Sequence, residues 1–272
     1  MQFKRFFFVS VLFFAFLLPA CVGTKERETN RLLLLHKRYG SSIIRILTQP
    51  QNGVYTGGTA FYTGQQTGFV TARHSLVFKD KDGSESFSRD WIMLHIPSCE
   101  TGYTANMGDA VEDKGDAAAK YLNDWANFIP EEDKLTRNPL RYDPSYPLHN
   151  GQKMFIAGYP DLNSDHDYTG TIPEKYAFTH SFLTYVTTHH FGTASQTGDR
   201  KLNFCSLVNG LYQDQAGRGM SGGPVLVWDK NIEDFIAVGI VVYLGSRLHM
   251  ESPILYFIRP QISPIVSNPE TN

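Results

Sequence analysis

Cysteine is nearly absent: the 272 residues hold three, Cys21, Cys99 and Cys205. That is too few for a disulfide-built scaffold, so the fold must rest on an apolar core. Excess charge of one sign is also missing. Lys and Arg number 25 against 27 Asp and Glu, a net charge of -2 with a pI near 6.5. No basic face is offered to a phosphate backbone, and nucleic acid is excluded as an expected partner. Beyond the first twenty residues there is no long apolar run, no internal repeat and no low-complexity tract. Helical periodicity is confined to Asp116–Tyr121 and a short segment at Pro260–Val266.

What is present begins at the N-terminus. Lys4 and Arg5 precede an uncharged, mostly apolar run from Phe6 to Leu18, the pattern of an export signal. As a helix this run reaches about 20 Å, short of the roughly 30 Å hydrocarbon core, so a permanent span is the poorer reading. Leu18, Pro19, Ala20 and Cys21 resemble the lipobox of bacterial lipoproteins. The resemblance implies that Cys21 is lipidated and tethers the chain to a membrane of the cell envelope. Residues 1–20 are then the signal peptide, 21–40 the lipidated cysteine and a tether (polar from Val22 to Asn30), and 41–272 the folded domain. In an oxidising envelope Cys99 and Cys205 have the option of pairing, and two buried thiols remain an equal alternative.

From Ile43 onward, short apolar or alternating runs are separated by Gly, Pro, Asn and Asp: Ile43–Leu47, Gly58–Tyr62, Gly68–Thr71, Trp91–Ile96, Lys153–Ala157, Phe182–Thr187, Pro224–Trp228, Phe235–Tyr243 and Ile254–Ile258. Their β-branched and aromatic content predicts an all-β barrel or sandwich. A loop-like stretch at about 130–150 is placed to join two lobes.

Chemistry concentrates in GMSGGP, Gly219–Pro224. A nucleophilic serine needs a tight turn whose amides face a developing oxyanion, and glycines permit the close approach and unusual dihedrals. Ser221 is the candidate nucleophile, and the amides of Gly219 and Ser221 are candidates for the oxyanion hole. Among nine histidines, His74 stands out in TGFVTARHSL, where a β-type run ends directly at the imidazole. FIAGYP, Phe155–Pro160, is a third marker. These three ordered segments resemble the histidine segment, second-barrel opening strand and serine segment of the trypsin-like serine proteases, over roughly Ser41–Ser263.

The resemblance implies two six-stranded antiparallel β-barrels with the active site between them. It also implies an endopeptidase acting on polypeptides through an acyl-enzyme on Ser221, with no metal or organic cofactor. Two aspartates compete to orient His74: Asp90 in DWIMLHI and Asp124 in DWANFIP. Local pattern slightly favours Asp90. Spacing favours Asp124, which lies 50 residues after His74, whereas Asp90 lies 16 after it, too few to complete the intervening strands. Asn127 departs from the aliphatic residue usual in the family. Met220 departs from the Asp of zymogen-type members, which places the chain nearer the bacterial glutamyl-endopeptidase and high-temperature-requirement subgroups. By the same likeness Gln215, Val242, Tyr243 and Leu244 line the primary pocket.

Other readings are weaker. GMSGG also fits the GxSxG turn of α/β hydrolases, which would need a helix after Ser221 and draw on His249 with Asp229 or Asp234. A non-catalytic, lipid-anchored binding module on the same scaffold is a further alternative. Asp161, Asn163, Asp165 and Asp167 alternate as in a calcium loop, but His166 stands where glycine is needed and no closing Glu follows, so a solvated loop is expected. His189 and His190 are adjacent and point to opposite faces of a strand, a poor joint metal site.

Overall fold

Strand alternation sets the architecture. In the computed structural model, residues 26–48, 56–79, 85–87, 91–93, 103–108, 119–130, 136–160, 183–197, 200–207, 219–245 and 254–265 are described. The chain divides at Gly40/Ser41 into two units. In the first, residues 26–39 form a helix inside the stretch read from sequence as a tether. Leu32–Leu35 among Arg, Glu and Lys are strong helix formers, and Gly40 follows the last turn. No helix among the described residues is long and apolar enough to cross a membrane.

The second unit is all β. One antiparallel sheet runs β6-β1-β2-β3-β8-β7, from β1 (Ile43–Thr48), β2 (Thr56–Gly64), β3 (Gly68–Thr71), β6 (Trp91–Met93), β7 (Tyr103–Met107) and β8 (Ala126–Pro130). Ile44, Ile46, Ala60, Phe69, Ala126 and Phe128 fill its core. A closed barrel runs β10-β11-β14-β13-β12-β9, from β9 (Lys153–Gly158), β10 (Thr184–Thr197), β11 (Arg200–Leu207), β12 (Pro224–Asp229), β13 (Asp234–Gly245) and β14 (Ile254–Ile258). Its core holds Met154, Ile156, Val225, Val227, Ile236 and Val238 at every second position, as a pleated strand with one inward face requires. A small hairpin joins β4 (Val77–Lys79) to β5 (Glu85–Phe87). This is the expected all-β arrangement of two six-stranded antiparallel units, chymotrypsin-like in plan.

The connector between the units of sheet is pinned by backbone bonds rather than strands. Leu140 N–H donates to Tyr62 O at 2.8 Å, and Asp143 N–H to Ala237 O at 2.9 Å. The segment after β14 is not the short helix expected over Pro260–Val266, for residues 260–265 hold no regular structure. Pro260 and Pro264 lack the donors a helix needs, and Pro264 pushes Ser263 out of the helical region. The segment instead forms a strap that returns to the first sheet. Ile265 N–H donates to Gln66 O at 2.8 Å, and Asn106 Nδ2 to Pro264 O at 3.3 Å.

Asn127 explains its own departure from family pattern. Ala126 and Phe128 face the core, so Asn127 faces the opposite side of β8, where the strap covers it completely. Its Nδ2 donates to Thr67 O at 2.9 Å and to Ser263 O at 3.2 Å. An aliphatic residue could make neither bond.

Of the three cysteines, Cys205 is a free thiol buried in the second barrel. Burial pushes it up to about 12, against a smaller opposing effect of the Thr188 hydrogen bond, so it is inert as a nucleophile at neutral pH. Cys21, Cys99 and the Asp161–Asp167 loop lie outside the described residues.

Candidate active site

β3 ends at Thr71, and one 3-10 turn over Arg73–Ser75 follows. Ser75 N–H donates to Ala72 O at 3.0 Å and Leu76 N–H to Arg73 O at 2.9 Å, so His74 is presented by a closed turn rooted in the sheet. Asp124 stands two residues ahead of β8, which is paired with β3. One carboxylate oxygen, Oδ1, accepts the His74 backbone N–H at 2.8 Å. The other, Oδ2, lies 2.5 Å from His74 Nδ1. Asp124 is buried at 6% exposure, whereas the His74 side chain is 41% exposed. An acceptor at Nδ1 holds the proton there and leaves Nε2 as the basic nitrogen on the open side.

Partial desolvation of the His74 ring favours its neutral form, and the nearby Lys120 charge adds to that. The attraction of the Asp124 carboxylate and its hydrogen bond outweigh both, so the imidazole sits above its ordinary value of 6.5. General-base work needs the neutral ring. The acidic limb of a kcat/KM profile is therefore expected above pH 6.5, activity rising with pH through it. A limb below that value would break the proposed link between Asp124 and His74.

The Gly219–Gly223 turn belongs to the second barrel. Gly219 and Gly222 have φ of +88° and +85°, which only glycine adopts readily. Gly223 N–H donates to Met220 O at 2.9 Å, Gly222 N–H to Val241 O at 2.7 Å, and Val241 N–H to Gly223 O at 3.0 Å. A Cβ on Gly222 would lie 2.1 Å from Thr59 O, 2.2 Å from Thr71 Oγ1 and 2.8 Å from Ala72 N. The residue after Ser221 is thus seated against the end of β3, three residues before His74. Ser221 itself is half-buried. Among the described residues, neither its N–H nor that of Gly219 meets an acceptor. Met220, 1% exposed, packs into the second core, which accounts for an apolar residue beside the serine.

After the turn the chain continues as β12, not as a helix, contrary to the GxSxG hydrolase pattern. Asp229 and Asp234 stand at the far end of the β12–β13 hairpin, and His249 lies outside the described residues. So do Asp90 and Gln215. Leu244 is placed only as a backbone position in β13. Val242 is buried and Tyr243 is 42% exposed. The Tyr243 ring stacks on Tyr121 at 4.9 Å and leans on Tyr256 at 5.8 Å. Tyr121, three residues before Asp124 and the last residue of a 3-10 turn, is a partner of Tyr243 that sequence reading missed, because a single tyrosine gives no sign of a ring contact far along the chain. Thr59 was missed as well, although it is fully buried and touches the serine turn. His190 is buried, its ring at the edge of Phe257.

No family model matches the chain, and no curated protein matches it. Among solved structures it is similar to the Rv3671c protease of M. tuberculosis in its active form, with 14% identity and a TM-score of 0.47, covering 80% of this chain and 76% of that one. It is also similar to a thermostable serine protease, AL20, from an extremophilic microorganism, with 15% identity and a TM-score of 0.44, covering 80% and 90%. A third likeness is to the HtrA-type protease AlgW with a tripeptide, with 13% identity and a TM-score of 0.44, covering 82% of this chain and 58% of that one. Identities this low leave the chemistry to be read from the geometry.

Proposed function

We propose that the chain is a serine endopeptidase in which Ser221 is the nucleophile, His74 the general base and Asp124 the residue that orients it. The observation that carries this reading is the double grip of Asp124 on the backbone N–H and Nδ1 of His74, on the strand end against which the Ser221 turn is seated. His74 Nε2 takes the Ser221 proton as Oγ attacks a peptide carbonyl, and the oxyanion forms toward the amides of Gly219 and Ser221. The protonated imidazole gives its proton to the leaving amine, an acyl-enzyme remains on Ser221, and water, deprotonated by the same ring, hydrolyses it. The mature protein is expected to label with a fluorophosphonate probe at Ser221. A chain that does not label at neutral pH would not be a serine hydrolase.

The apolar Met220 in the core supports a type that needs no inserted N-terminal amine, akin to the bacterial glutamyl-endopeptidase and high-temperature-requirement subgroups. Polypeptides are the proposed substrates, taken into the cleft beside Tyr121 and Tyr243. The chain is further proposed to be exported and anchored through lipid on Cys21, on the strength of the Lys4–Leu18 signal pattern and the residues before Cys21. Mass spectrometry of the native N-terminal peptide is expected to show a diacyl or triacyl cysteine. An unmodified Cys21 in the membrane fraction would remove the anchor.

A further inference from the structure

Thr59 lies in β2 of the first sheet, is fully buried, and spends its polar groups on the serine turn and its surroundings. Its N–H donates to Ser221 O at 2.7 Å, and its Oγ1 donates to Gly219 O at 2.7 Å. The same oxygen accepts from Tyr159 N–H at 3.0 Å, and Thr59 O accepts from Thr71 Oγ1 at 2.7 Å. A Cβ on Gly158 would lie 3.0 Å from that hydroxyl, so β9 leaves the side chain little room to turn.

A peptide unit is rigid and planar, so holding its carbonyl fixes the direction of the N–H in the same plane. Three consecutive units matter here. The unit joining Met220 to Ser221 carries the Ser221 N–H, and its carbonyl is held from within the turn by Gly223. The units on either side carry the carbonyls of Gly219 and Ser221, and both are held by Thr59. Without those bonds the Ser221 amide is restrained by the turn's own bond and, one unit on, by Gly222 N–H to Val241 O. Among the described residues nothing then holds the unit before it, in a segment where glycine leaves the backbone free to turn.

We propose that Thr59 is a positioning residue that aims the Ser221 amide of the serine turn, acting through the carbonyls of Gly219 and Ser221 on either side of it. It couples the sheet that carries His74 to the barrel that carries Ser221. The role rests on the hydrolase reading above and extends it to a residue outside the triad.

The test uses the full-length protein and p-nitrophenyl acetate, a small acylating ester that makes few binding contacts. Thr59→Val keeps the shape and removes the hydroxyl. Acylation is expected to slow about a hundredfold, the scale of losing one oxyanion donor, with KM changed less than about twofold. Thr59→Ser restores the hydroxyl and is expected within about threefold of wild type. Wild-type acylation by the valine variant, or equal slowing in both, would overturn the role.

Should Thr59→Val fail to fold, Thr71→Val frees Thr59 from its neighbour instead, with about tenfold slower acylation expected; an unchanged rate counts against the proposal. A wild-type chain that never acylates refutes the hydrolase reading, and hydrogen exchange then decides the positioning role. Faster exchange of the Gly222 and Gly223 amides in Thr59→Val, with the β13–β14 ladder unchanged, supports it, and equal exchange refutes it.

Discussion

Ser221→Ala is expected to abolish fluorophosphonate labelling and to lower peptide turnover about a millionfold. The size follows from the unity of the site. His74 is a base only for a hydroxyl within its reach, and the two turn amides stabilise an oxyanion only after an attack has produced one. Removing Oγ takes away the reacting atom and leaves both supports idle. The turn itself should survive, because the bonds that hold it, those among backbone groups and that of Thr59 Oγ1 to Gly219 O, do not use the serine side chain. An unchanged melting temperature with activity lost is the expected pair of results. Retained turnover would place the nucleophile elsewhere.

Asp124→Asn is expected to cost about ten thousandfold in kcat. Both carboxylate oxygens accept: Oδ1 from the His74 backbone N–H and Oδ2 from Nδ1. A carboxamide offers one acceptor and one N–H₂ group, so one of the two contacts must become donor facing donor or the ring must change tautomer. In the second case Nδ1 accepts, Nε2 carries the proton, and the ring has no basic nitrogen left to take the Ser221 proton. The acidic limb of the pH profile should also fall toward the ordinary imidazole range, because the charge that raises His74 is gone. Asp90→Asn is expected to be nearly silent. The opposite pattern would reassign the orienting acid.

Legibility in the sequence followed how local each signal was. β1, β3, β9, β12, β13 and β14 announce themselves because one or both faces are apolar over a few consecutive residues. β10 was expected to end at Thr187, yet it runs to Thr197. The extension THHFGTASQT is mostly polar, and two register shifts toward β11 break the alternation a reader would follow. β7 and β11 were hidden in the same way, for YTANM and RKLNFCSL owe their strand form to partners far along the chain. The helix over residues 26–39 was missed because the polar stretch to Asn30 was weighed and the run Leu32–Leu35 was not. In the site, the His74–Asp124 contact could be anticipated from strand counting over 50 residues. Thr59 could not, since its partner Gly219 is 160 residues distant and a threonine in a strand is unremarkable by composition.

The returning strap bears on how the molecule is made. Ser263 and Pro264 meet Asn127 and Asn106 across 136 and 158 residues, long-range contacts that are slow to form. A ribosome delivers the histidine and aspartate well before residues 260–265. Until they arrive, the outer side of β7 and β8 lacks the partners that Asn106 and Asn127 find in the strap. Its finished geometry, and any hydrolytic competence that depends on it, arrives only after residues 260–265 have been added.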